Sequence, residues 1–142
     1  AGQSSELVPD VLAKIGIAAR IQLYDRTTWE KKRIAGDFEI YDGRGRGELD
    51  PEEALYAAWH SGQPENFAGY DNPDFDRLVT DAQVEASAPK RRVLYEKADR
   101  LLAEDAPCVF LAHPKGFKVL SKRVKNFQPL PADLMNFHRL WV

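Results

Sequence analysis

The segment Gly43-Arg44-Gly45-Arg46-Gly47-Glu48 sets two guanidinium groups and a carboxylate on a backbone with glycine at alternate positions. Glycine lets a main chain approach a bound group closely, and the guanidinium fork matches the paired oxygens of a carboxylate or phosphate. Arg44 and Arg46 are therefore candidate ligand contacts for an anionic group, and Glu48 could take an amine. The opposing reading keeps both arginines as loop charges paired with Glu39, Asp42 and Glu48. The segment is not a nucleotide loop, because it lacks the Lys-Ser/Thr of a Walker motif and the spacing of a dinucleotide fingerprint.

The other reactive side chains point away from catalysis. His60, His113 and His138 fall in separate elements, and none has a second ligand at metal-binding spacing, so no metal or other cofactor is expected. Ser61 follows His60 directly, and adjacent residues on a helix do not face each other. Cys108, within an apolar run, reads as a small buried hydrophobe. Charge is nearly balanced, with 20 Lys+Arg against 22 Asp+Glu interspersed, which argues against a nucleic-acid partner. The basic run over 115–125 alternates with Phe117, Val119, Leu120 and Val124, as a solvated strand edge would. No stretch reaches the roughly 18 apolar residues of a membrane span. A single cysteine is compatible with the periplasm without fixing the compartment.

These residues need elements to hold them. Leu7, Val8, Val11, Leu12 and Ile15 repeat at three and four and predict a helix ended by Gly16, with Ser4 or Ser5 as its cap and Pro9 near the first turn. Alternating apolar positions predict a strand over 17–23, then a short helix from Asp25 or Thr27 to Ile34, and a second strand over 37–41, parallel to the first through a right-handed crossover. Asp50-Pro51-Glu52-Glu53 combines a cap, a proline at the first helical position and acids in the first turn, leading into a helix to Trp59. A loop over 62–72 precedes two longer helices, about 73–85 and 89–104. The second of these carries an apolar stripe of Val93, Leu94, Ala98, Leu101 and Leu102. Residues 109–112 read as a buried strand, with 117–120 as its continuation or hairpin partner. Trp59 and Asn66 border the candidate lip by sequence. Both join the candidate ligand-binding set: Trp59 as a pocket wall, with core packing as the alternative, and Asn66 as a contact, with holding loop backbone as the alternative. Tyr24, Trp29, Tyr56, Tyr95 and Trp141 are assigned to packing.

The order of pieces carries a resemblance. Asn66 and Tyr70 precede the Asn72-Pro73 turn; Phe75-Asp76 opens a helix; Tyr95 and residues 98–102 follow; Glu104-Asp105-Ala106-Pro107 leads into 109–114. Upstream stand residues 12–17, Thr28, Trp29 and Gly36-Asp37-Phe38-Glu39, and downstream Val124-Lys125-Asn126-Phe127 and residues 137–141. This order resembles the late portion of the family 5 extracellular solute-binding proteins, the peptide, nickel and opine receptors of bacterial ABC importers. The resemblance implies an α/β fold, a small mixed sheet flanked by helices, as in the C-terminal lobe of a periplasmic binding protein of the type II, peptide-receptor class. Residues 1–142 would then be a single domain, part of a two-lobed receptor whose N-terminal lobe and export signal lie elsewhere. Its partners would be a peptide or other small solute and the membrane subunits of the transporter. Its location would be periplasmic, or extracellular and tethered to the membrane. Family peptide receptors carry a Trp and an acidic anchor for the peptide amine in the strand-to-helix loop. Here those positions fall near Arg44 and Gly47, a departure that weakens a peptide ligand and favours an anionic one. The rival class is a standalone protein-interaction module derived from such a lobe.

Overall fold

A computed structural model describes residues 3–43, 50–111, 117–128, 138, 140 and 141. Two compact units make up the chain, Ala1–Arg44 and Gly45–Val142.

The first unit holds α1 (Gln3–Ala13) and α2 (Arg26–Ala35). Helix α1 continues into a turn closed by the Ile17 amide on the Leu12 carbonyl at 3.0 Å, with Gly16 at φ 83° where a side chain would be strained. Pro9 lies further inside α1 than the first turn, because the helix begins at Gln3. Asp25 starts α2 as the sequence predicts. One of its oxygens accepts the Thr27 and Thr28 amides at 3.0 and 3.1 Å, and the other accepts the Thr28 hydroxyl at 2.6 Å. These donors hold the Asp25 carboxyl below its ordinary value, the Thr28 hydroxyl most strongly. Gly36 ends the helix in the left-handed region. Trp29 packs as expected, edge-on to Tyr41 at 6.4 Å and beneath the Arg33 guanidinium at 5.0 Å.

Residues 17–23 and 37–41, predicted as parallel strands, form no ladder among the described residues. Their apolar side chains explain why: Ile17, Ile21 and Ile40 are exposed, and Leu23 is 72% exposed. Alternation marks a face that can be buried, but a strand is held by neighbours that take up its N–H and C=O groups.

In the second unit, α3 (Pro51–Trp59), α4 (Pro73–Val84) and α5 (Ala88–Asp105) pack together. The Asp50 side chain caps α3 through the Glu52 amide at 3.0 Å, and Asn72 caps α4 through the Asp74 and Phe75 amides at 2.9 and 3.3 Å. A three-residue connection makes α4 and α5 adjacent and antiparallel. Their facing surfaces form the core: Phe75, Val79 and Ala82 from α4 and Tyr95, Ala98 and Leu102 from α5 are all buried. Leu55, Tyr56 and Trp59 of α3 and Tyr70 of the following loop pack against it half-buried. Ala98 and Leu102 were legible as stripe residues, whereas Val93 is exposed, so the buried face is narrower than the sequence pattern.

Beyond α5 the chain turns at Ala106, which takes a left-handed φ of 48° before Pro107. The buried strand expected over 109–112 is not formed by its described residues: Val109 is 79% exposed, and Phe110 and Leu111 are exposed too. Its expected partner over 117–120 likewise forms no strand among the described residues, with Phe117 86% exposed and Val119 96%. A continuous apolar run is stable as a central strand only between other strands and beneath cover on both faces. Trp141 is 61% exposed, so its assignment to packing fails, although its carbonyl accepts the Lys125 amide at 2.9 Å in an isolated antiparallel bridge. Among the described residues no helix is long and apolar enough to cross a membrane.

The core makes a direct prediction. Phe75→Ala and Leu102→Ala should each destabilise the second unit by about 3–5 kcal/mol, whereas Val93→Ala should cost about 1 kcal/mol or less. Urea unfolding followed by helical circular dichroism measures both, and equal costs at Val93 and Leu102 would refute the assigned α5 face.

Candidate functional site

Residues 60–72 leave the end of α3, double back and enter α4, and polar side chains fix this loop at three places. At its start, Asp76 of α4 accepts the Ser61 amide at 3.0 Å and the Ser61 hydroxyl. In the middle, Asn66 accepts the Tyr70 amide at 3.0 Å and donates to the Tyr70 carbonyl at 2.7 Å, with longer contacts to the carbonyls of His60 and Trp59 at 3.3 and 3.4 Å. At its end, Asp105 accepts from the Tyr70 hydroxyl at 2.7 Å and from the Asn72 side-chain Nδ2 at 2.6 Å, linking the loop to the last residue of α5. Gly62 and Gly69, at φ 76° and 64°, supply the left-handed turns that a loop this tight requires.

Aromatic rings line the same place. Trp59 meets Tyr70 and Phe110 edge-on, both at 6.4 Å between centroids, and Tyr70 meets the buried Phe75 at 5.3 Å. His60 lies 4.5 Å from the Tyr56 ring and donates from Nδ1 to the Ser61 carbonyl at 2.7 Å. The same nitrogen is 3.8 Å from an Asp76 oxygen. Asp76 thus gathers His60 and Ser61, a convergence that adjacency in sequence could not reveal. The Ser61 hydroxyl donates to Asp76, and the imidazole Nδ1–H goes to a backbone carbonyl.

The electrostatics follow from the contacts. Burial and the adjacent Asp105 carboxylate push the Tyr70 hydroxyl well above its ordinary value. Asp105 is held below its ordinary value by the Tyr70 hydroxyl first and the Asn72 amide second. Burial pushes the half-buried Cys108 thiol up, consistent with its reading as a hydrophobe. No group of His, Cys, Asp or Glu placed to hold a metal ion occurs among the described residues.

The sequence-predicted contacts divide into two sets. Arg44, Arg46 and Glu48 lie outside the described residues. Trp59 and Asn66 are brought together at the far end of α3, where nine helical residues at about 1.5 Å each set Trp59 roughly 13 Å from the Asp50 end. Trp59 serves as a half-buried wall of the core, and Asn66 holds backbone, the roles their residue types favour. Asp76 and Asp105 were not singled out as site residues. An acid near a helix start reads as a dipole partner, and an acid ending a helix carries no pattern of its own.

A groove of about 490 Å³ runs between α3 and α5, lined by Pro51, Leu55, Arg91, Tyr95 and Asp99 among others and open to solvent. Burial, with smaller contributions from Asp50 and Glu52, raises the Tyr95 hydroxyl there.

A helical hairpin that holds a carboxylate-tied aromatic loop is here part of a solute-binding fold. No family model matches the chain. The chain is similar to "Probable di/tripeptide-binding protein 5" of Pseudomonas aeruginosa strain UCBPP-PA14, at 28% identity over 97% of this chain and 27% of that protein. It is also similar to "Heme-binding protein A" of Haemophilus influenzae, at 29% identity over 89% of this chain and 24% of the relative. Among solved structures, the ABC transporter-associated periplasmic binding protein DppA from Helicobacter pylori, in complex with the peptide STSA, superposes with a TM-score of 0.68 at 28% identity, over 75% of this chain and 22% of that one. The resemblance to family 5 extracellular solute-binding proteins is borne out along nearly the whole chain, and the fold is that of part of a periplasmic peptide-binding protein. The chain spans about a quarter of the length of the curated relatives it matches.

Two outcomes are expected of the loop. Asn66→Ala removes both hydrogen bonds to Tyr70 and should lower the stability of the second unit by about 1–3 kcal/mol in thermal unfolding. Both donors on Asp105 favour its ionised form, so their contribution is present above the ordinary carboxylate pKa and is lost as pH falls through the lowered value. The acid limb of a stability-against-pH curve should therefore flatten in Asp105→Asn, and an unchanged limb would show that the contact does not form in solution.

Proposed function

We propose that this chain is part of the solute-binding component of an ABC importer, a receptor that captures a peptide or related small solute between two lobes and delivers it to the membrane subunits. The observation that carries the reading is the match of nearly the whole chain to several di/tripeptide-binding proteins, supported by superposition on a peptide-bound periplasmic receptor. The relatives are named as binding proteins, and the geometry of Ser61, His60 and Asp76 fits a structural clamp better than a reactive centre. In this reading the location is periplasmic, or extracellular and tethered to the membrane, as for the receptors of such importers. The two lobes close by hinge motion, and the closed form is the one the transporter engages.

Within that reading, residues 1–142 contribute one wall of the cleft, and the counterpart lobe contributes the other. The exposed apolar runs over 109–111 and 117–120 support a chain that works against further polypeptide. Ligand contact is proposed for Arg44, Arg46 and Glu48, with the guanidinium groups facing an anionic group of the solute and Glu48 available to an amine. The binding role considered for Trp59 and Asn66 gives way to supporting the wall behind the ligand, because their side chains are engaged by the core and by the loop backbone.

Isothermal titration with di- and tripeptides, run on this chain and on a receptor-length polypeptide that contains it, tests the proposal. Binding is expected only for the longer form, and equal affinity for both would contradict the two-walled cleft. In the longer form, Arg44→Ala should weaken the ligand by about tenfold or more, the scale of one lost charge-assisted hydrogen bond. Unchanged affinity would remove Arg44 from the site.

A further inference from the structure

We draw no further inference here: the strongest candidate, the apolar side chains of Val109, Phe110, Leu111, Phe117 and Val119 exposed beyond α5, carries nothing because nothing in the structure shows what covers them.

Discussion

The second unit depends on the interlock of two neighbouring helices. Phe75 and Val79 on α4 and Ala98 and Leu102 on α5 exclude water from one seam, and the small Ala98 lets the two backbones approach. Three large side chains from a short seam make a small core. Its consequence is leverage: α3 contributes no buried residue of its own and is held by leaning Leu55, Tyr56 and Trp59 on a surface that α4 and α5 have already made. Disturbing that seam would release α3 and, with it, the loop between α3 and α4.

Polar contacts then do what so small a core cannot. A loop of this length has many backbone groups to satisfy, and here side chains from both core helices reach into it. Asp76 takes the beginning, Asp105 takes the end, and Asn66 closes the middle on itself. Exposed hydrogen bonds contribute little singly, but each of these spans between four and 35 residues of chain and removes alternatives that the loop would otherwise sample. The result is a fixed turn with aromatic rings set against it.

The helices were legible in the sequence because their signals are local. Asp25 and Asp50 cap their helices as read, Asn72 in the expected Asn72-Pro73 turn caps α4, and the boundaries of α4 and α5 fall within about a residue of the expected ones. The expected strands do not form among the described residues, and the reason is physical. The apolar alternation of 17–23 and the run at 109–112 state only that something should cover them, whereas a ladder depends on which other segments arrive alongside. The site was legible in part. Asn66 held backbone as its type suggests, but Asp76 lies 15 residues from Ser61, and Asp105 lies 35 from Tyr70, pairings that no local pattern encodes.

The account stands on the claim that the loop over 60–72 is locked to the α4–α5 seam and shares its stability. Native-state hydrogen exchange on the 142-residue chain reads this residue by residue. The amides of Ser61 and Tyr70, which donate to Asp76 and Asn66, should be protected to the same degree as those of α4 and α5 around Val79 and Leu102. Ser61 and Tyr70 amides exchanging at the rate of an unstructured peptide, while the two helices remain protected, would contradict it.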